Sequence, residues 1–263
     1  MRKISVTTLA AMALALGACT AASSSQADLA SAQAAVTMDR LLAAVDNPVR
    51  PEEARKLDES RKPVAVLAFL GFDPGYASAD IISGGGYWAE IMAGAVDDTG
   101  SVIALEPEQF YAAEAWDALA KRAPGITLEQ YPFDRLDAGN DRFDFAILNL
   151  VYHDLYWQSE RWKIPKTDPA LFLKALYRAM KPGGIVGVID HVGKPGDTRR
   201  TVDDFHRIDP AVVRADFEAA GFVFEEESAM LRNPEDSHEV GVFDPAIRGK
   251  TDRFVYRFRK PKN

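Results

Sequence analysis

The sequence has a single cysteine, at position 19, and only four histidines among its 263 residues. One thiol closes no disulfide within the chain, and there is no paired-cysteine spacing for a structural zinc. Positive charge is also scarce: 31 Lys and Arg stand against 39 Asp and Glu, for a formal charge of −8. Nucleic acid is bound by neutralising its phosphates with Lys and Arg, so this balance excludes it as a partner. An anionic bilayer is equally poorly held by charge alone. No apolar run approaches the roughly 20 residues of a membrane-spanning helix. Internal repeats are absent as well. What remains is ordinary, with 47% hydrophobic and 27% charged residues. That is enough core for one sizeable domain or at most two small ones.

The amino terminus is set apart from the rest. Arg2 and Lys3 precede an apolar run over 4–16, which has the length and flanks of a signal peptide. The run ends Leu16-Gly17-Ala18-Cys19. This resembles the lipobox of bacterial lipoproteins, in which the cysteine is diacylated and becomes the new first residue. The resemblance implies a signal peptide over 1–18, lipidation at Cys19 and a protein anchored in the cell envelope, facing the periplasm. The uncharged Thr20 is compatible with sorting to the outer membrane. The Ala- and Ser-rich stretch that follows has no hydrophobic period, so 19–37 is expected to be a flexible tether, or else a poorly packed helix since alanine favours helix, with the folded domain over 38–263.

Beyond that point helical and strand patterns alternate, the signature of a mostly parallel sheet with helices on both faces. Helices are expected over 50–60, 63–70, 86–96, 108–122, 168–180 and 209–220. Strands are expected over 79–82, 102–105, 126–131, 143–150, 185–189, 222–230 and 253–258. The fourth strand, Phe-Asp-Phe-Ala-Ile-Leu-Asn-Leu, is nearly all apolar, as a central strand buried on both faces should be. No helix separates the last two strands, so that pair is expected to be antiparallel. The fold class is thus α/β, a doubly wound Rossmann-like sheet of seven strands, mostly parallel with an antiparallel last strand.

Ligands of such sheets sit beyond the carboxyl ends of the strands, where strand order reverses. Gly84, Gly85 and Gly86 follow strand one and open a helix, which brings backbone N–H groups to the helix's positive end. Glu106 closes strand two, where a carboxylate can accept from both hydroxyls of a ribose.

These motifs carry a resemblance. Asp80-Ile-Ile-Ser-Gly84-Gly-Gly86-Tyr87 resembles the first motif of class I S-adenosylmethionine-dependent methyltransferases. Val102 to Glu106 resembles the second, Phe143 to Asn149 the fourth, and Leu176 to Gly184 the segment before strand five. Tyr152-His153-Asp154, His206-Arg-Ile-Asp-Pro210 and Gly249-Lys-Thr-Asp-Arg-Phe254 are similar to a bacterial group of uncharacterised methyltransferases. The resemblance implies S-adenosylmethionine as cofactor, with Asp80, Gly84, Gly85 and Gly86 around its methionine part and Glu106 on its ribose. It also implies Asp134 near the adenine and Asn149 facing the sulfonium. One position departs from the family pattern, because Ile82 stands where the first glycine of the motif belongs. Gly84, Gly86 and Ala89 also fit a dinucleotide fingerprint. Against that stand Asp80 inside strand one and the lack of a second half for a hydride acceptor.

Methyl transfer needs mostly in-line positioning, so no universal catalytic residue exists to be read. His153, Asp154 and His206 are the candidates, since a histidine of near-neutral pKa can take a proton from an oxygen or nitrogen nucleophile. The bland alternatives are that Asp154 caps a turn, that Asp209 caps the last helix and that His191 is a satisfied core residue. Tyr152, Tyr156, Trp157 and Trp162 form an aromatic insertion that is either a lid or packing. Lys194, Arg199, Arg200 and Arg207 are either an anion-attracting patch or a solvated loop. Three functions remain open: a methyltransferase acting on a small molecule, a binding protein that kept the fold without the chemistry, and a hydrolase using a metal on His153, Asp154, His191 and His206. The spacing of those four matches no standard zinc motif, so no metal is expected.

Overall fold

The computed structural model describes residues 15–262. Residues 1–14, most of the expected signal peptide, lie outside the described residues, as does the side chain of Cys19. The elements run α1 (Ala15–Val45), α2 (Glu52–Arg55), α3 (Asp58–Arg61), α4 (Pro63–Leu70), β1 (Ala77–Ile81), α5 (Tyr87–Ala95), β2 (Ser101–Pro107), α6 (Ala113–Arg122), β3 (Ile126–Tyr131) and β4 (Phe143–Asn149). A single 3-10 turn (His153–Tyr156) follows, then α7 (Pro169–Ala179), β5 (Met180–His191), α8 (Thr198–Phe205), α9 (Pro210–Ala219), β6 (Val223–Ser228) and β7 (Arg253–Arg259).

The sheet has seven strands in the order β3-β2-β1-β4-β5-β7-β6. The pairings from β3 through β5 are parallel, and β7 lies antiparallel between β5 and β6. Strand order reverses between β1 and β4, so the loops after those two strands open onto one crevice.

Alternation along the strands divides the core into two layers. Ala146 and Leu148 of β4 join α7 (Phe172, Leu173, Leu176) and α9 (Val213, Phe217) on one face. Phe145 and Ile147 join α4, α5 and α6 on the other. Gly187 in β5 has no side chain because none fits: a Cβ there would lie 2.4 Å from Leu70 Cδ1 of α4.

Several expected boundaries move. The single helix over 50–60 is divided into α2 and α3, with Arg50 bidentate on Asp58 at 2.8 Å across the pair. The helix expected from 108 starts at Ala113, because Gln109 is turned aside to accept from the Phe133 amide at 3.0 Å. The strand expected from 185 begins at Met180 and pairs with Phe143, through a register shift that absorbs Lys181-Pro182-Gly183-Gly184. A helix not read from the sequence, α8, is capped by the Asp197 carboxylate, which accepts from the Arg200 amide. The stretch expected as a flexible tether is helical where described, following the high helix propensity of alanine. Residues 28–36 of it are exposed, and packing begins with Thr37, Leu41 and Ala44. That i, i+4, i+7 stripe lies against α4 and α5. No helix among the described residues is long and apolar enough to cross a membrane.

Candidate functional site

The turn after β1 is held by main-chain bonds from Ile82 and Ser83 N–H to the Leu105 carbonyl, at 2.8 and 3.3 Å. It passes through left-handed backbone at Ile82 (φ 55°), Gly84 (φ 60°) and Gly86 (φ 76°). Gly86 is fixed twice over, since a Cβ there would meet Leu119 Cδ2 at 2.2 Å. Ile82 is the exception: left-handed φ in a β-branched residue carries strain of about 1–3 kcal/mol. Its side chain is buried in the α7–α9 layer of the core with Leu105 and Leu148.

Asp80 and Glu106 lie beneath this turn, both buried. Asp80 accepts from Ser83 Oγ at 2.5 Å and from the Ala89 amide in the first turn of α5 at 3.0 Å. Glu106 accepts from the Gly84 amide at 2.7 Å through one oxygen. Its other oxygen is buried and has no partner among the described residues, and the same is true of Tyr131 Oη and Asn149 Oδ1. Burial pushes the Asp80 carboxyl up to about 7, against its hydrogen bonds and Arg61. Burial, reinforced by the nearby Asp80, pushes Glu106 up to about 8. Buried polar atoms without partners are rare, and three at the ends of β2, β3 and β4 mark a place suited to a hydroxyl-rich ligand. Asp134 follows the end of β3 by three residues. It lies on a surface groove with Leu136 and Phe172, next to Arg135.

A cavity of about 600 Å³ opens beside these strand ends. Phe110 and Leu150 bound it where β2 and β4 finish, and Trp157, Trp162, Val242 and Phe243 form much of its wall. His153, Asp154, His191 and His206 also line it. The structure thus gathers the three catalytic candidates. Of these, His153 is held by Asp190, a fully buried residue absent from the candidates named above. Asp190 accepts from the His153 amide at 2.9 Å, from the His191 amide at 2.7 Å and faces His153 Nδ1 at 2.8 Å. The only sequence signal was its place beside His191, at the end of a strand already read as carrying site residues.

The electrostatics move His153 and His191 in opposite directions. Burial alone would lower His153, but the carboxylates of Asp190 and Asp154 override it and raise the ring to about 9. Burial wins at His191 and lowers it to about 3. His191 Nδ1 lies 2.7 Å from Thr251 Oγ1, so its bland reading as a satisfied buried histidine holds, though the ring also borders the cavity. Asp190 is held below its ordinary value despite its burial, through His153. His206 ends α8 in left-handed backbone (φ 51°), its ring edge-on to Trp157 and Phe243.

Other candidates resolve as structure. Asp209 caps α9, accepting from the Ala211 amide at 2.9 Å. Tyr152 and Tyr156 both donate to Asp216 of α9 and pin the insertion down, leaving Trp157 and Trp162 to the cavity. The basic residues do not form a free patch: Arg207 is buried on Asp236, Arg199 bonds the carbonyls of Tyr156 and Thr167, Lys194 pairs with Glu239 and Arg200 with Asp204.

Comparison with known proteins agrees with this fold. Residues 79–188 match the family model described as a methyltransferase domain. No curated protein matches the sequence. Among solved structures, a SAM-dependent methyltransferase from Aquifex aeolicus is 20% identical, with a TM-score of 0.56 over 80% of this chain and 98% of that one. The Burkholderia thailandensis 1,6-didemethyltoxoflavin-N1-methyltransferase, bound to 1,6-didemethyltoxoflavin and S-adenosylhomocysteine, is 16% identical with a TM-score of 0.51, covering 87% of this chain and 88% of that one. The [4+2]-cyclase SpnF is 19% identical with a TM-score of 0.55, covering 87% of this chain and 94% of that one. A cyclase on the same architecture shows that fold does not fix the reaction. From its sheet order and these likenesses, the chain has the Rossmann-like fold of the SAM-dependent methyltransferases, and residues 79–188 match the methyltransferase domain.

Proposed function

We propose that the protein binds S-adenosylmethionine across the ends of β1, β2 and β4 and transfers its methyl group to a small molecule held in the adjoining cavity. When bound, the cofactor supplies an electrophilic methyl on a sulfonium. The observation that carries this reading is Glu106, whose buried, unpartnered oxygen is placed to accept from a ribose hydroxyl while its other oxygen fixes the Gly84 amide. Asn149, at the end of β4 with β1 between it and β2, offers a second buried acceptor. Asp80, expected around the methionine part, also has a part in the turn. It braces the turn by bonding Ser83 and α5. The aromatic walls of the cavity suit a flat acceptor with an apolar body. Lipidation at Cys19 and an envelope location belong to the same proposal, supported by the Leu16-Gly17-Ala18-Cys19 sequence.

Calorimetric titration with S-adenosylmethionine and S-adenosylhomocysteine tests the cofactor site. Binding in the micromolar range that Glu106→Ala weakens by about tenfold or more is expected, given roughly 1.5–3 kcal/mol for a hydrogen bond to a charged group. Absence of binding by either ligand at millimolar concentration overturns the methyltransferase reading. Ile82 favours a second reading, a binding protein without transfer activity, because it stands at the family's glycine. Cofactor binding without turnover of any methyl acceptor, combined with activity gained in Ile82→Gly, would select that one.

A further inference from the structure

His153, Asp154 and His206 come from two separate places, the turn after β4 and the end of α8. Their ligand atoms nevertheless lie within 4.8 Å of one another. His153 Nε2 is 3.4 Å from Asp154 Oδ1, and His206 Nδ1 is 3.9 Å from the same oxygen. An ion bound at about 2.1 Å from each of three ligands requires separations of about 3.0–3.4 Å between them, so small side-chain rotations close the set. We propose that these three side chains form a binding site for a divalent first-row transition metal, with an open coordination position on the cavity.

Three further observations point the same way. Asp190 holds His153 through Nδ1 at 2.8 Å, which leaves Nε2 as the ligand nitrogen and fixes the ring's orientation. A carboxylate behind a ligating histidine is the usual support of a metal site. Asp154 and Asp190 also bring two carboxylates to a largely buried place beside His153. Finally, all three ligands line the 600 Å³ cavity, so an ion held by them keeps room for an exogenous oxygen or nitrogen donor. Two histidines and one carboxylate with open positions are the donor set of catalytic rather than structural metal sites. An ion there would bind and polarise an oxygen of the cavity's occupant. The site stands apart from the cofactor reading, since none of its ligands is assigned to S-adenosylmethionine.

The test is titration of the full chain, carrying Cys19→Ser to remove its one thiol, with Co2+ after chelator treatment. One equivalent should bind with visible d–d absorption and no thiolate charge-transfer band. Asp190→Asn should weaken binding about 10–100-fold. Asp154→Asn and His206→Gln should abolish stoichiometric binding, whereas His238→Gln, outside the cluster, should bind as the parent does. His206 is partly exposed, so its substitution leaves the core intact and keeps the test independent of folding. Absence of stoichiometric Co2+ binding in the parent overturns the proposal, as does absorption unchanged in a folded His206→Gln protein. Either result leaves S-adenosylmethionine titration free to succeed or fail by itself.

Discussion

Asp80 and Glu106 are the residues at which structure and function pull against each other. Both carboxyls have folded pKa values raised by burial, to about 7 and about 8. The folded state therefore binds protons more tightly than the unfolded chain. Their stabilising contribution is complete below the ordinary carboxyl range and is lost as pH rises through those folded values. For Glu106 the loss by neutral pH is roughly 3 kcal/mol. Denaturant unfolding should thus show stability falling between about pH 5 and pH 8, with a flatter profile and higher stability at pH 8 in Glu106→Gln. An unchanged slope in that variant would remove Glu106 as the source. The same ionisation works in favour of the ligand, because an ionised Glu106 accepts hydroxyl hydrogen bonds more strongly. A site that destabilises the empty protein and is relieved by its ligand is the expected signature of a buried acceptor built for binding.

At the scale of elements, position in the sheet decides which side chains reach the crevice. Residues at the carboxyl ends of β1, β2, β4 and β5 supply Asp80, Glu106, Asn149 and Asp190. The helices matter chiefly by holding those ends rigid. The contact between α4 and β5 is close enough that it depends on Gly187 having no side chain. Gly187→Val should cost about 1–3 kcal/mol through overpacking against Leu70. A midpoint shift in thermal unfolding would report it, and an unchanged midpoint would mean that α4 moves freely away. Because α4 sits on the face opposite α7 and α9, the His153–Asp190 pair should keep its geometry in a folded variant.

For the whole molecule the open question is where it works. The acidic charge gives no electrostatic hold on an anionic membrane, so attachment would rest on Cys19 alone. Residues 19–37 continue the same helix that packs on the domain from Thr37. At 1.5 Å per residue that segment would set the domain roughly 27 Å from the anchor. Expression of the full chain in bacteria fed labelled palmitate checks the proposal. Label on the parent and none on Cys19→Ser is expected, whereas an unlabelled parent would end the lipoprotein reading.

The sequence by itself determined the fold. Alternating periods placed all seven strands, and the missing helix before β7 foretold its antiparallel pairing, because hydrophobic period and connection length are local properties. It also offered Gly84 and Glu106 as candidates, by their places after strand ends, and Asn149 through the resemblance of its motif. What it left out was local too: the Asp197 cap signal was there to be read. Of the two readings of 19–37, the helix that alanine favours is the one adopted. Only the tertiary structure decided where the histidines meet. No spacing reveals that His206 meets His153 and Asp154, or that Asp190 rather than solvent orients the ring, because those contacts form between loops that the sheet brings together. Equally, Arg207 reads as a loop cation until the fold closes Asp236 over it. Charge pairing across distant segments is settled by burial, and burial belongs to the folded chain as a whole.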